Sequence, residues 1–217
     1  MPALTEFSLL EDLLQFIGVF VSFSIAYISY RGVKQTQSSS LLRLTMAFGL
    51  LGIGFLVEGL VGIGSTFAVV TGLATVVVAG LVLETMGYFL LAFSHALDVM
   101  LSKRLGFVMM VFPVVAISTA QLTSALSILS FYFVLYGVVE TVYSYARTRR
   151  PDTLVIALGL SSLGVGTLIQ WLSLLYTEVD VLSLLQIIMR EVGLLILFIP
   201  VLGFARKEGR VRLDGAI

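Results

Sequence analysis

Residues 105–146 read LGFVMMVFPVVAISTAQLTSALSILSFYFVLYGVVETVYSYA, 42 residues with no lysine or arginine and Glu140 as their one carboxylate. As a single helix they would extend about 63 Å, roughly twice the hydrocarbon thickness of a bilayer. The segment must therefore fold back once. The polar stretch around Ser118 to Ser124 is the natural place. This reading gives one crossing at about 105–118, containing Pro113, and another at about 124–146, containing Glu140.

Five further apolar runs flank this pair, at about 13–30, 41–63, 75–98, 153–175 and 181–204. The crossing at 153–175 follows Arg147, Arg149, Arg150 and Pro151, with proline where a helix start has no use for its missing N–H. Residues 64–75 (GSTFAVVTGLAT) read equally as an interfacial segment, a re-entrant turn or the start of a long tilted helix. The composition agrees with seven crossings: 59% of the 217 residues are apolar and 12% charged, against about 45–50% and about 25% in soluble domains. The fold expected is an all-α, polytopic membrane protein of a single membrane domain, with residues 205–217 as a short basic tail.

Charge placement sets the orientation. With the amino terminus outside, 12 of the 13 basic residues fall on one side: Arg31, Lys34, Arg43, Lys103, Arg104, Arg147, Arg149, Arg150, Arg206, Lys207, Arg210 and Arg212. The opposite side receives Glu6, Glu11, Asp12, Glu178 and Asp180. By the positive-inside tendency the carboxyl terminus is cytoplasmic, in the cell membrane. The leader MPALTEFSLLED has no basic n-region, so the first crossing is not read as a cleaved signal.

The segment 27–60, YISYRGVKQTQSSSLLRLTMAFGLLGIGFLVEGL, is echoed by 143–172, YSYARTRRPDTLVIALGLSSLGVGTLIQWL. Each has a tyrosine-bearing helix end, a basic loop and a glycine-rich helix. Gly52, Gly54 and Glu58 fall on Gly164, Gly166 and Gln170 at a constant offset of 112, and GYFLL at Gly87 is similar to GLLIL at Gly193, at a different offset. The expectation is a parallel 3+1+3 internal repeat with the fourth crossing as linker.

An ionisable side chain at a helix centre costs about 2.5–3.5 kcal/mol on insertion scales, so it turns inward and finds a partner. Glu84 and Arg190 each lie nine residues in from the outer ends of their helices and are opposite in sign. An ion pair between them is expected. Glu191 lies about 100° further around the helix and must address a different neighbour. Three polar stripes accompany them: Ser183, Gln186 and Arg190; Glu84, Tyr88 and His95; and Ser162, Gly166, Gln170 and Ser173. Glu58, flanked by Gly54 and Gly62, fits small-residue packing with its carboxylate at interfacial water. Glu140, between Tyr136 and Tyr143, reads as bonded to a tyrosine or close to the cytoplasmic surface. The candidate ligand or ion site is therefore Glu58, Glu84, Tyr88, Gln170, Gln186, Arg190 and Glu191, within the second, third, sixth and seventh crossings.

Much chemistry is excluded. With no cysteine and one histidine there is no disulfide, thiolate metal site, iron–sulfur cluster or bis-imidazole haem. Nucleophile-elbow, zincin and P-loop motifs are absent. The three lysines, Lys34, Lys103 and Lys207, sit at membrane edges, so none serves a retinal Schiff base. No catalytic residue, metal or cofactor is assigned, and zero net charge gives no footprint for nucleic acid.

Tyr27 to Gly59, with its tyrosine-arginine helix end, polar basic loop, SLLRLTMAFGLLGIGF and L-V-E-G, resembles the first two helices of the seven-helix sensor regions that precede histidine kinases. The resemblance implies a membrane sensor with its amino terminus outside. Only 13 residues follow Phe204, so any output is expected to pass through a separate membrane or cytoplasmic protein partner. The parallel repeat is similar in plan to SWEET-type sugar transporters, but the first helix of neither copy carries their proline-glutamine step. Function therefore reads as a module responsive to an unknown small molecule or ion, with small-solute or proton-coupled transport as the competing class. A non-catalytic subunit of a membrane complex is the third.

Overall fold

The computed structural model of the chain describes residues 2–66, 74–93, 118–176 and 180–214. They form six helices: α1 (Pro2–Thr36), α2 (Ser39–Thr66), α3 (Ala74–Ala92), α4 (Thr119–Thr148), α5 (Pro151–Leu175) and α6 (Asp180–Asp214). Each contains a span long and apolar enough to cross a membrane. Large apolar side chains such as Phe20, Leu60, Val139, Leu158 and Ile199 are more than half exposed around the outside. Such a surface suits acyl chains and would be an anomaly in water. The expected crossing at 105–118 and the residues 94–98 of the third lie outside the described residues, as does His95.

The helices close into a ring. Each packs on its neighbours in the chain, α3 packs on α4, and α1 packs on α6. Connections by short turns make α1–α2 and α4–α5 antiparallel. On the α3–α4 seam, Thr85 meets Ser130, Phe89 meets Phe133 and Phe93 meets Tyr136. Numbers climb together, so these two helices run parallel. The same holds for α1 and α6, where Glu11 meets Ser183 and Gly18 meets Glu191. Arg31, Lys34, Arg43, Arg147, Arg149 and Arg150 consequently gather at one end of the bundle. Phe48, Leu51, Phe55, Tyr88, Leu163 and Leu194 fill the centre.

Two details recur in both halves. The turns after α1 and α4 place Gln37 (φ 55°) and Arg149 (φ 54°) in the left-handed region. Each N–H returns to the carbonyl four residues back, Val33 and Tyr145, at 2.8 Å. Helix ends of this kind favour glycine, which has no Cβ to crowd the turn. Gln37→Gly and Arg149→Gly are each expected to raise stability by about 0.5–1 kcal/mol, read as a later midpoint in thermal unfolding of the protein in detergent.

The second detail is close backbone approach. A Cβ at Gly87 would lie 2.9 Å from the Ala47 carbonyl oxygen, and one at Gly193 would lie 2.8 Å from that of Gly159. A Cβ at Gly54 would meet the Gly80 carbonyl at 3.0 Å, and one at Gly166 the Gln186 carbonyl at 3.1 Å. Small residues thus let α2 sit against α3 and α5 against α6 as membrane helices pack.

Several boundaries differ from the sequence reading. α1, α4 and α6 extend beyond 13–30, 124–146 and 181–204. The polar stretch at 118–124 is not a reversal: Ser118 caps α4 by accepting from the Gln121 N–H, while Gln121 accepts from the Ser118 N–H, and the helix starts at Thr119. Residues 64–66 belong to α2, and 67–73 lie outside the described residues.

Candidate functional site

Arg190 stands at the centre of the ring, 2% exposed. Its Nη2 donates to Glu84 Oε2 at 2.7 Å, and its Nη1 reaches Glu58 Oε2 at 3.5 Å. The guanidinium lies 4.4 Å from the centroid of the Phe55 ring, which adds a cation–π contact in a dry setting. Glu84 is 1% exposed and the Glu58 side chain 12%. Gln15 Nε2 donates to the same Glu58 oxygen at 2.9 Å. The bridge therefore takes in α1, α2, α3 and α6.

Its placement matters mechanically. The backbones of α3 and α6 lie across the ring from each other, with no Cα pair within 8 Å along their described lengths, yet Arg190 and Glu84 join them. Gly54 and Gly166 create the room: each faces the Cγ of Glu84 or Arg190 respectively, where a methyl group would collide. The glycines of α2 and α5 thus set the register in which the two charged residues leave their helices and meet.

The seven sequence-assigned residues do not form one cluster. Glu84, Arg190 and Glu58 come together. Glu58 Oε2 is held by Gln15 and Arg190, partners that the sequence pattern does not assign to it. Glu191 turns to α1, its carboxylate packed against Gly18, with Oε2 buried and unbonded among the described residues. Tyr88 is buried at 1% and its hydroxyl likewise has no hydrogen-bond partner among the described residues. Gln186 accepts from Ser173 Oγ at 3.4 Å, linking α6 to α5 away from the guanidinium. Gln170 is buried, and its backbone carbonyl accepts from Ser173.

The sequence reading omitted α1 from the interior. Glu11 accepts from Ser183 Oγ at 2.5 Å, Gln15 holds Glu58, Gly18 lies beside Glu191, and Ser22 is fully buried. These four positions, at i, i+4, i+7 and i+11, are one helical face. That spacing was the available signal. Glu140 makes no hydrogen bond to Tyr136 or Tyr143 among the described residues, which leaves the other reading, a place close to the membrane surface. Tyr136 stacks on Phe93 at 5.0 Å, and Tyr143 lies under Arg147 at 4.6 Å.

A cavity of about 290 Å³ occupies the end of the bundle where the basic residues gather. Every described helix contributes to its wall, among them Ser29, Leu44, Leu91, Glu140, Leu160 and Pro200. The buried side chains of Phe48, Leu51, Phe55 and Leu194 fill the centre, and the ionic bridge lies towards the opposite end. Among the described residues no three histidine or acidic side chains converge as a metal site.

Apolar spans closed around a buried ionic interior define a multi-pass helical membrane protein. No family model, curated protein or solved structure matches the chain.

Proposed function

We propose that this chain is a ligand- or ion-responsive module of the cell membrane, with seven crossings and its amino terminus outside, that acts through a separate protein partner. One observation carries the reading: an ion pair spans the ring between two helices whose backbones nowhere come within 8 Å of each other, Cα to Cα, among the described residues. Such a bridge is a two-state element, since opening it frees α3 from α6 without breaking any helix–helix seam. A ligand that binds the open and closed forms unequally shifts their populations.

The 3+1+3 plan draws support from recurrent geometry. Val33, Gln37, Ala47, Leu51 and Gly54 stand 112 residues before Tyr145, Arg149, Gly159, Leu163 and Gly166, and each partner makes the corresponding contact. Gly80, Glu84 and Gly87 stand 106 before Gln186, Arg190 and Gly193. Glu84 and Arg190 are then equivalent positions of the two copies. Residues at equivalent positions meet on the axis relating the copies, and here they carry opposite charge. Parallel α3 and α4 support an odd crossing count, because a connection between parallel spans returns across the bilayer.

The absence of native cysteine permits a clean test. Spin labels on cysteines at Val76 of α3 and Val181 of α6, both exposed, are expected to give one narrow distance distribution in nanodiscs. Glu84→Gln should lengthen and broaden it. An unchanged distribution overturns the switch.

Transport is the second reading, favoured by a cavity that every described helix lines and by the repeat architecture common among transporters. Solute or proton flux in proteoliposomes that Glu84→Gln abolishes would select it over sensing. Glu58, Glu84 and Arg190 face one another inside the ring, which gives the complex-subunit reading no support.

A further inference from the structure

We infer that the cavity at the basic end of the bundle is a binding site for a small amphiphilic organic cation, an apolar body carrying one ammonium group. The inference rests on the ligand-responsive reading and names the ligand's chemistry.

The wall is apolar nearly throughout, with Leu44, Phe48, Leu91 and Leu160 among its members. Among the described residues Glu140 is the one ionisable residue in it, and no described lysine, arginine or histidine contributes. Its carboxylate has no hydrogen-bond or ion-pair partner among the described residues, in contrast to Glu58 and Glu84. The side chain is half-buried, eight residues before the end of α4 at Thr148, about 12 Å along the helix axis. Among the described residues, a carboxylate held at that depth beside an apolar cavity stands without a counter-charge.

Ser29 and Ser40 add hydroxyls that accept as well as donate. Pro200 lines the same cavity inside α6. Lacking an N–H, it leaves the carbonyl of Ile196 without its helical donor, on the face the proline occupies. The Thr141 hydroxyl is already committed, donating to the Gly137 carbonyl at 2.7 Å. A carboxylate and an undonated carbonyl favour a guest that brings donors and positive charge. An anion would meet Glu140 with no cation to offset it. A sugar would find too few polar partners for its hydroxyls and would leave them unpaired in a dry wall.

The size fits a compact guest. About 290 Å³ lies at the lower edge of small-molecule sites, roughly 300–1,000 Å³. That suits a single ring with a short cationic arm.

Benzylammonium titrated into the full chain in nanodiscs, followed by calorimetry, tests the site. Saturable binding is expected, weakened at least about tenfold in Glu140→Gln, the loss of a charge contact in a partly dry site. The thermal midpoint of that variant should not move, because Glu140 holds no structural bond. Leu44→Trp, which fills the cavity, should abolish binding, and phenylacetate, the same body with opposite charge, should not bind. Absence of saturable binding, equal affinity in Glu140→Gln, or equal binding of phenylacetate overturns the inference. The readout does not involve the Arg190 bridge. A failed titration with a responsive α3–α6 distance would reject the ligand class and leave the module standing.

Discussion

Arg190→Leu is expected to cost about 3–5 kcal/mol of stability, the range for removing one partner of a buried ion pair. The cost lies less in the lost contact than in what remains. Among the described residues Glu84, at 1% exposure, loses its one donor, and Glu58 keeps Gln15. A carboxylate in that position has neither water nor a compensating charge. Glu84→Leu/Arg190→Leu should recover most of the loss, because a buried pair replaced by apolar side chains of similar volume is often neutral or stabilising. The double-variant cycle therefore separates a bridge kept for stability from one kept for switching. Denaturation in mixed micelles, followed by the single tryptophan, Trp171 on α5, supplies the measurement. Equal losses in the single and double variants would show that the guanidinium acts through packing alone.

The Glu84–Arg190 pair was legible in the sequence because insertion cost and depth are both readable there. Few charges lie in the apolar runs, charged ends mark the helix boundaries, and two opposite charges at one depth in a closed bundle have little else to meet. The α1 face was not legible on the same terms. Glu11 and Gln15 sit beside an acidic leader, where polarity reads as exposure to water, and only packing against α2 and α6 turns them inward. The stretch at 118–124 misled for a different reason. Serine and threonine hydroxyls bond their own backbone both in turns and at helix starts, and here they cap and line the first turns of α4: Thr123 donates to the Thr119 carbonyl and Ser127 to that of Thr123. Composition does not separate the two outcomes. Glu140 was placed beside the right tyrosines in sequence, but Tyr136 turns to Phe93 across the α3–α4 seam and Tyr143 lies under Arg147 one turn on. Where each ring turns is set by its neighbours in space and not by its spacing from Glu140.

Gly193→Ala should destabilise the α5–α6 seam by about 1–3 kcal/mol, the usual cost of forcing extra volume into a packed contact. A single methyl group there would lie 2.8 Å from the Gly159 carbonyl oxygen and 2.8 Å from the Leu163 nitrogen. Both are backbone atoms, so no rotamer change relieves the clash and the helices themselves must part. Separation of that seam also draws Arg190, one turn before Gly193, away from its register with Gly166 and hence from Glu84. Alanine is otherwise the better helix former by about 0.5–1 kcal/mol, which gives the control its sign. Gly49→Ala and Gly203→Ala, with nothing within 4 Å of the new carbon, should be neutral or slightly stabilising in the same micellar unfolding assay. Gly87→Ala should behave like Gly193→Ala, since its methyl would meet the Ala47 carbonyl at 2.9 Å and Leu51 Cγ at 2.7 Å. Equal behaviour of all four glycines would mean that helix propensity, and not close backbone approach, sets the contribution of these residues, and the close approach that positions the bridge would lose its physical basis.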